Sequence, residues 1–289
     1  MNSTSNQAKA NPALLWRVVI WMLMVTLIPL LFFSGCQSQL IYFPRPYAIG
    51  TTAQWQRETQ GRPITYQTSQ GTQRAFLQGN LESPKNLWIL CGGNGTLALE
   101  WSQWIMENTS KDDAWLLFEF PGYGDSEGSA TPERIRESLI KVLPLACKEI
   151  GWPEQPDPRR LKFFGHSLGA ATCLIAATEF KIQNGILIAP FSSTMEMAQH
   201  LFGLPLGPFV WQRFDNGARL QELAARGPGK VVIIHGTDDE VIPYSMSQKL
   251  ESLEQGIVEL RAISGGRHNS LQDQYATEFA EAIRQISEL

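Results

Sequence analysis

The sequence predicts an α/β domain: a mostly parallel sheet covered on both faces by helices. Three observations predict it. Short apolar runs near Leu87, Trp115, Leu161, Ile186, Lys230 and Val258 alternate with longer segments of helical periodicity. The apolar run 161–164 ends in Gly165-His166-Ser167-Leu168-Gly169 and passes directly into a stretch of small helix-forming residues, 170–178. That is a strand, a sharp turn and a helix in succession. Finally, the runs are continuously apolar rather than alternating, as strands covered on both faces are.

Taken in order, residues 64–67 and 75–79 read as an antiparallel opening pair. The strands that follow are separated by helical patterns near 97–108, 133–150, 168–179, 244–254 and 271–286. Thr131-Pro132 makes a sound helix start, with the hydroxyl as cap and proline in the first turn. Pro153, Pro156 and Pro158 mark the connector that follows this helix. Between Pro190 and Pro228 the rhythm breaks into a stretch rich in Phe, Met and Trp, read as a helical cap after the sixth strand, lying over a site for an apolar group, with an ordinary helical cover packed on the core as the alternative.

The glycines of the 165–169 turn let the backbone take a strained conformation that pushes Ser167 out at the carboxyl edge of the sheet. A serine hydroxyl is a weak nucleophile at neutral pH and needs a base and an orienting acid. Both come later in the chain. The run 230–234 leads into His235-Gly236-Thr237-Asp238-Asp239-Glu240, and the run 258–263 leads into a loop carrying His268. His268 is the expected base, and Asp238, Asp239 and Glu240 are the candidate acids. His166, His200 and His235 read as structural or surface residues. The run 87–91 ends in Gly92-Gly93-Asn94-Gly95, where backbone N–H groups can converge on a developing oxyanion, so the Asn94 and Leu168 amides are the expected hole. The glycines of 121–128 miss the spacing of a dinucleotide fingerprint, and that reading is rejected.

With Gly93-Asn94-Gly95, Pro121-Gly122-Tyr123-Gly124, the 165–169 turn, Pro190-Phe191-Ser192-Ser193, Arg213-Phe214-Asp215-Asn216, the 235–243 turn and His268-Asn269, the chain resembles the α/β-hydrolase superfamily. Within it the chain is similar to a membrane-associated branch that includes bacterial lipoprotein hydrolases, depalmitoylating thioesterases and lysophospholipid lipases. The order serine, acid, histidine is that superfamily's. Its choice of acid implies Asp239. Where many relatives carry His-Gly at the oxyanion strand, this chain has Cys91-Gly92-Gly93, so the register of the hole stays open by one residue. The resemblance implies cleavage of a carboxylic ester or thioester, without a cofactor. A serine peptidase or amidase using the same three residues, and a noncatalytic lipoprotein serving as a binding module, remain alternatives.

At the N-terminus, Lys9 and Arg17 precede an uncharged apolar run, 18–33, and then Ser34-Gly35-Cys36. This describes a secretory signal ending in a sequence that resembles a bacterial lipobox, with Cys36 the expected lipidated residue. An uncleaved signal anchor is the alternative, since the run is near the length of a membrane span. Either way the domain is expected at the membrane of a bacterial cell envelope, facing the periplasm if it is a lipoprotein. Gln37 after the cysteine resembles an outer-membrane signal. The expected division is signal or anchor 1–35, linker 36–60 and catalytic domain 61–289, with the cap at 190–228.

Composition is consistent with this. Removing the signal leaves about 250 residues of the 289, enough for one α/β domain with a substantial core. The net charge of −4, with no basic stripe, argues against nucleic acid as a partner. The expected partner is instead a small acyl ester, thioester or lipid, together with the membrane reached through the N-terminal anchor. Cys91, Cys147 and Cys173 lie in apolar segments and read as core residues. No metal-ligand spacing is present, and no metal is expected.

Overall fold

The computed structural model describes residues 12–203 and 207–289; the side chains of residues 12, 14, 15, 18 and 26–36 of the first helix, Cys36 among them, and of Pro208 lie outside the description. Eight strands form one sheet: β1 (Arg62–Thr68), β2 (Gly71–Gly79), β3 (Leu87–Cys91), β4 (Ala114–Phe118), β5 (Leu161–His166), β6 (Asn184–Ile188), β7 (Lys230–Gly236) and β8 (Val258–Ile263). Their spatial order is β1-β2-β4-β3-β5-β6-β7-β8. β1 and β2 pair antiparallel, β2 meets β4 antiparallel, and every pairing from β4 through β8 is parallel.

The period-2 geometry of a strand sends alternate residues to opposite faces, and here each face has its own core. Ile89, Phe163, Leu187 and Ile233 face one core, built with α4 (Pro132–Glu149), α5 (Leu168–Phe180), α7 (Asn216–Ala225) and α8 (Tyr244–Leu253). Trp88, Leu90, Phe164, Ile186 and Ile234 face the other, built with α3 (Ser102–Asn108) and α10 (Ala276–Ser287). Trp88 and Trp115, register partners on β3 and β4, stack at 5.0 Å within the second core. The Thr131 hydroxyl accepts the Arg134 N–H at the start of α4, as the Thr-Pro pair predicts.

Helix α5 lies unusually close to the sheet. A Cβ on Gly169 would overlap the carbonyl oxygen of Cys91, and one on Gly165 would sit 2.5 Å from the carbonyl oxygen of Gly169. Both obstacles are backbone, which cannot rotate away. Gly169→Ala is therefore expected to cost at least about 3 kcal/mol, the upper part of the range for overpacking. A urea titration of the two proteins checks this, and a shift of less than about 1 kcal/mol would contradict it.

Three stretches differ from the sequence expectation. The 36–60 segment is not a plain linker: it holds the end of α1 (Pro12–Ile41) and a further helix, α2 (Thr51–Thr59). α2 is fixed by Trp55, which packs edge-on against Phe76 and donates from its indole nitrogen to Gln78. Of the 190–228 stretch, α6 (Thr194–Phe202) and the turn Gly207–Phe209 lie on the active-site side, whereas α7 joins the helical layer. The reason is Leu220 and Leu223, three residues apart on one face and both buried in the first core. Leu204 and Leu206 of this stretch lie outside the described residues. The last helical pattern splits at Tyr275 into α9 (Leu271–Gln274) and α10. Among the described residues no helix is long and apolar enough to cross a membrane; much of the apolar run 18–33 falls among the undescribed side chains of α1.

Candidate active site

Ser167 occupies the single residue between β5 and α5, with φ 54° and ψ −116°. A non-glycine residue in this region stores strain, sustained here by the packed backbone on either side. The Ser167 N–H donates to Ile188 O on the neighbouring strand at 2.8 Å, and its carbonyl accepts from Ala170 N at 3.0 Å. These bonds aim the side chain at the loop after β8.

That loop brings His268 to Ser167, with His268 Nε2 and Ser167 Oγ 3.1 Å apart. On the other side of the ring, Nδ1 lies 2.7 Å from Asp239 Oδ2. A carboxylate only accepts, so Nδ1 carries the proton and Nε2 presents its lone pair to the serine hydroxyl. The imidazole is thereby held in the tautomer a general base requires. Asp239 is turned inward because the Val241 and Ile242 N–H groups both donate to its Oδ1, at 2.8 and 2.7 Å. Asp238 and Glu240 point outward: Asp238 accepts from the Thr237 hydroxyl and Glu240 pairs with Arg267. The carboxylate facing His268 is therefore that of Asp239.

Two histidines read from sequence as structural contribute to this geometry. His235 Nε2 lies 3.0 Å from Ile242 O and 3.2 Å from Asp239 Oδ2, both acceptors, so that nitrogen is the donor. Its Nδ1 accepts from the Ser247 hydroxyl at 2.6 Å. Asp239 thus has two imidazoles on one oxygen and two amides on the other. Burial alone would raise its pKa, but the hydrogen bonds from His235, His268 and the backbone outweigh that and hold it well below the usual carboxylate range. His166 donates from Nε2 to the carbonyl oxygen of His268 at 3.3 Å, tying the elbow to the loop that carries the base. Burial and the neighbouring His268 push its pKa down to about 3, which keeps it neutral. His200 is exposed on α6.

Asn94 and Leu168 line the same 260 Å³ cavity as Ser167. Their loop is braced by the segment after α1. Asn94 donates from Nδ2 to Ile41 O at 3.1 Å, and Arg45 donates from Nε to Gly95 O at 2.7 Å while pairing with Glu100. Apart from Thr194, the rest of the cavity wall is apolar, supplied by Leu40 and Ile41 of α1, by Met197 and Leu201 of α6, and by Phe191, Val241 and Ile242.

Glu119, just after β4, is buried, accepts from the Tyr47 hydroxyl and takes the Ala98 N–H at 3.3 Å. Burial raises its pKa to about 8 against the lowering effect of these bonds. A carboxyl raised on folding contributes stability that is fully present below its unfolded pKa, about 4.3, and lost as pH rises through about 8. His166 works in the opposite sense, its contribution being present above about 6.5 and lost as pH falls toward 3. The difference between Glu119→Gln and the unsubstituted chain isolates the first effect. Urea midpoints at pH 5, 7 and 9 are expected to shift progressively in favour of the variant; a difference constant across that range would contradict the assignment.

No protein-family model matches the chain. Among curated proteins, it is 24% identical over 224 residues to an uncharacterized protein of Mycobacterium tuberculosis, covering 76% of each chain. It is 25% identical over 170 residues to human alpha/beta hydrolase domain-containing protein 17B, covering 58% of this chain and 55% of that one. Among solved structures, an esterase of Pyrococcus furiosus superposes with a TM-score of 0.62 at 16% identity, over 85% of this chain and 97% of that one. An alpha-beta hydrolase from Vibrio vulnificus gives 0.64 at 16% identity, over 82% and 88%. At this identity the solved structures establish a shared fold.

Proposed function

We propose that this chain, an α/β-hydrolase by fold and by its sequence relatives, is a membrane-tethered serine hydrolase that cleaves a carboxylic ester or thioester. The observation that carries the reading is the continuous relay from Ser167 through His268 to Asp239, built on a strained turn that opens into an apolar cavity. Ser167 Oγ attacks the acyl carbonyl as His268 Nε2 takes its proton. Asp239 stabilises the imidazolium that forms. The Asn94 and Leu168 amides receive the oxyanion, each such donor contributing about 3 kcal/mol to the transition state. His268 returns the proton to the leaving group, and water then cleaves the acyl-enzyme by the same route. No cofactor enters these steps. The esterase and hydrolase names among the similar proteins support the reaction class.

The reaction is tested by offering the purified chain p-nitrophenyl esters, acyl thioesters and matched anilides. Turnover of the first two is expected. Turnover of anilides alone would replace this reading with a peptidase or amidase, and no turnover together with no reaction toward a fluorophosphonate would leave a noncatalytic binding protein.

The tether is proposed to be lipid on Cys36, exposed at the new N-terminus after signal cleavage. Several acyl chains hold a protein to a bilayer where one does not. The exposed apolar side chains of α1, such as Trp16 and Trp21, support membrane residence of this region before any cleavage. In a bacterial host, Cys36→Ala is expected to accumulate the uncleaved precursor, visible as slower electrophoretic migration. Unchanged migration would indicate an uncleaved anchor instead.

A further inference from the structure

The exposed large hydrophobic side chains of the described residues are unevenly placed. Eight lie on α1 between Trp16 and Val25, eight lie on the segments that supply or adjoin the wall of the Ser167 cavity (residues 40–43, α6, 209–211 and Val241), with Leu40, Leu201 and Val241 lining the cavity itself, and five are elsewhere. Around the mouth, Leu40, Leu201 and Trp211 are 51%, 64% and 65% exposed. An apolar patch of this extent on a soluble face is uncommon and marks a contact surface.

Three observations indicate what covers it. First, α1 is locked to the patch. Gln37, a buried polar residue near the end of the helix, donates from Nε2 to Phe209 O and accepts the Trp211 N–H at 2.7 Å. Gln212 adds a bond to the Ser38 hydroxyl at 3.1 Å. Second, α1 is continuous from residue 12 to residue 41, so Leu40 follows the end of the apolar run at residue 33 by ~10 Å of helix rise. A bilayer holding that run has its boundary at the mouth. Third, the patch leads inward. Leu40, Met197 and Leu201 line both the cavity at Ser167 and an adjoining 160 Å³ apolar cavity bounded by Gln37 and Ala198.

We propose that the face formed by Leu40, Phe43, Leu201, Phe209, Trp211 and Val241 is seated in the acyl boundary of a lipid bilayer, so that the substrate's acyl chain passes from the membrane into the Ser167 cleft without crossing water. This rests on the membrane-tethered hydrolase reading and specifies where its substrate comes from. Trp211 suits the position, its ring being apolar with one polar edge for the headgroup layer. Signal cleavage before Cys36 removes the apolar run but keeps Gln37 and its bonds to Phe209 and Trp211, and lipid on Cys36, the adjacent residue, then holds the same face at the bilayer.

The test uses the full chain reconstituted in phosphatidylcholine vesicles, with an environment-sensitive fluorophore on Leu201→Cys or on Glu154→Cys. Glu154 is exposed in the connector before β5, at the edge of the sheet opposite Ser167. Cys91, Cys147 and Cys173 are buried, and the unsubstituted chain gives the background from Cys36. The fluorophore at 201 is expected to shift to the blue and to lose most of its emission when the vesicles carry lipid brominated in its acyl chains, while that at 154 does neither. If the chain floats with the vesicles but the fluorophore at 201 behaves as the one at 154 does, this inference is overturned and the tether stands. If the chain does not float with the vesicles, both fall, whereas ester hydrolysis in solution is read separately. A Trp211→Ala chain labelled at 201 guards against distortion by the first substitution: it is expected to keep the blue shift but with weaker quenching, and quenching equal to that of the unsubstituted face would count against the seating.

Discussion

Ser167→Ala is expected to lower kcat/KM for acyl esters by about 10⁶-fold, the scale measured when the nucleophile of another serine hydrolase is removed. In free-energy terms this is ~8 kcal/mol of transition-state stabilisation. The fold is expected to survive. The bonds that hold residue 167 in the elbow are made by its backbone to Ile188 and Ala170, while its side chain bonds to His268. Urea unfolding is therefore expected to change by less than about 1 kcal/mol, a loss of activity far larger than any loss of stability. A variant that keeps more than about a hundredth of the activity would move the nucleophile elsewhere.

Asp239→Asn is expected to cost about 10⁴-fold in kcat with KM little changed, the loss seen when an orienting acid of this kind becomes an amide. The structure explains why the amide cannot adapt. Val241 and Ile242 present two N–H groups to Oδ1, so the amide oxygen must stay there. The amide nitrogen is then forced into the Oδ2 position, facing His268 Nδ1 and His235 Nε2. His268 can meet it only by moving its proton to Nε2, which leaves no lone pair for the serine hydroxyl. His235 cannot do the same without releasing the Ile242 carbonyl. Asp238→Asn and Glu240→Gln are expected to change kcat by less than tenfold, because neither carboxylate reaches the imidazole. A reversal of that ranking would show that the acid has been misplaced.

Much of the architecture was legible because the determinants are local. Strands covered on both faces read as apolar runs, and the elbow announces itself through two glycines whose absent Cβ atoms the packing requires. The serine, the two candidate carboxylates beside Asp239 and the later histidine could be placed by order alone. Which carboxylate turns inward was open from the residues alone, where only the resemblance pointed to Asp239, since it depends on the Val241 and Ile242 amides curling back over it. Gln37 and His235 were invisible for the same reason. Gln37 is an ordinary polar residue whose partners lie more than 170 positions away, and His235 matters only because a turn returns Asp239 and Ile242 to it. Helix α2 has a single buried residue, Trp55, too few for apolar periodicity to reveal.

The central claim, that Ser167 is the nucleophile activated by His268, is tested most directly by locating the adduct of a fluorophosphonate on the full chain by peptide mass spectrometry. The account predicts one modified residue, Ser167, formed rapidly in the unsubstituted chain and only slowly in His268→Ala. An adduct on Ser192, Ser193 or any other residue, or ester hydrolysis that proceeds with Ser167 unmodified by the probe, would contradict it.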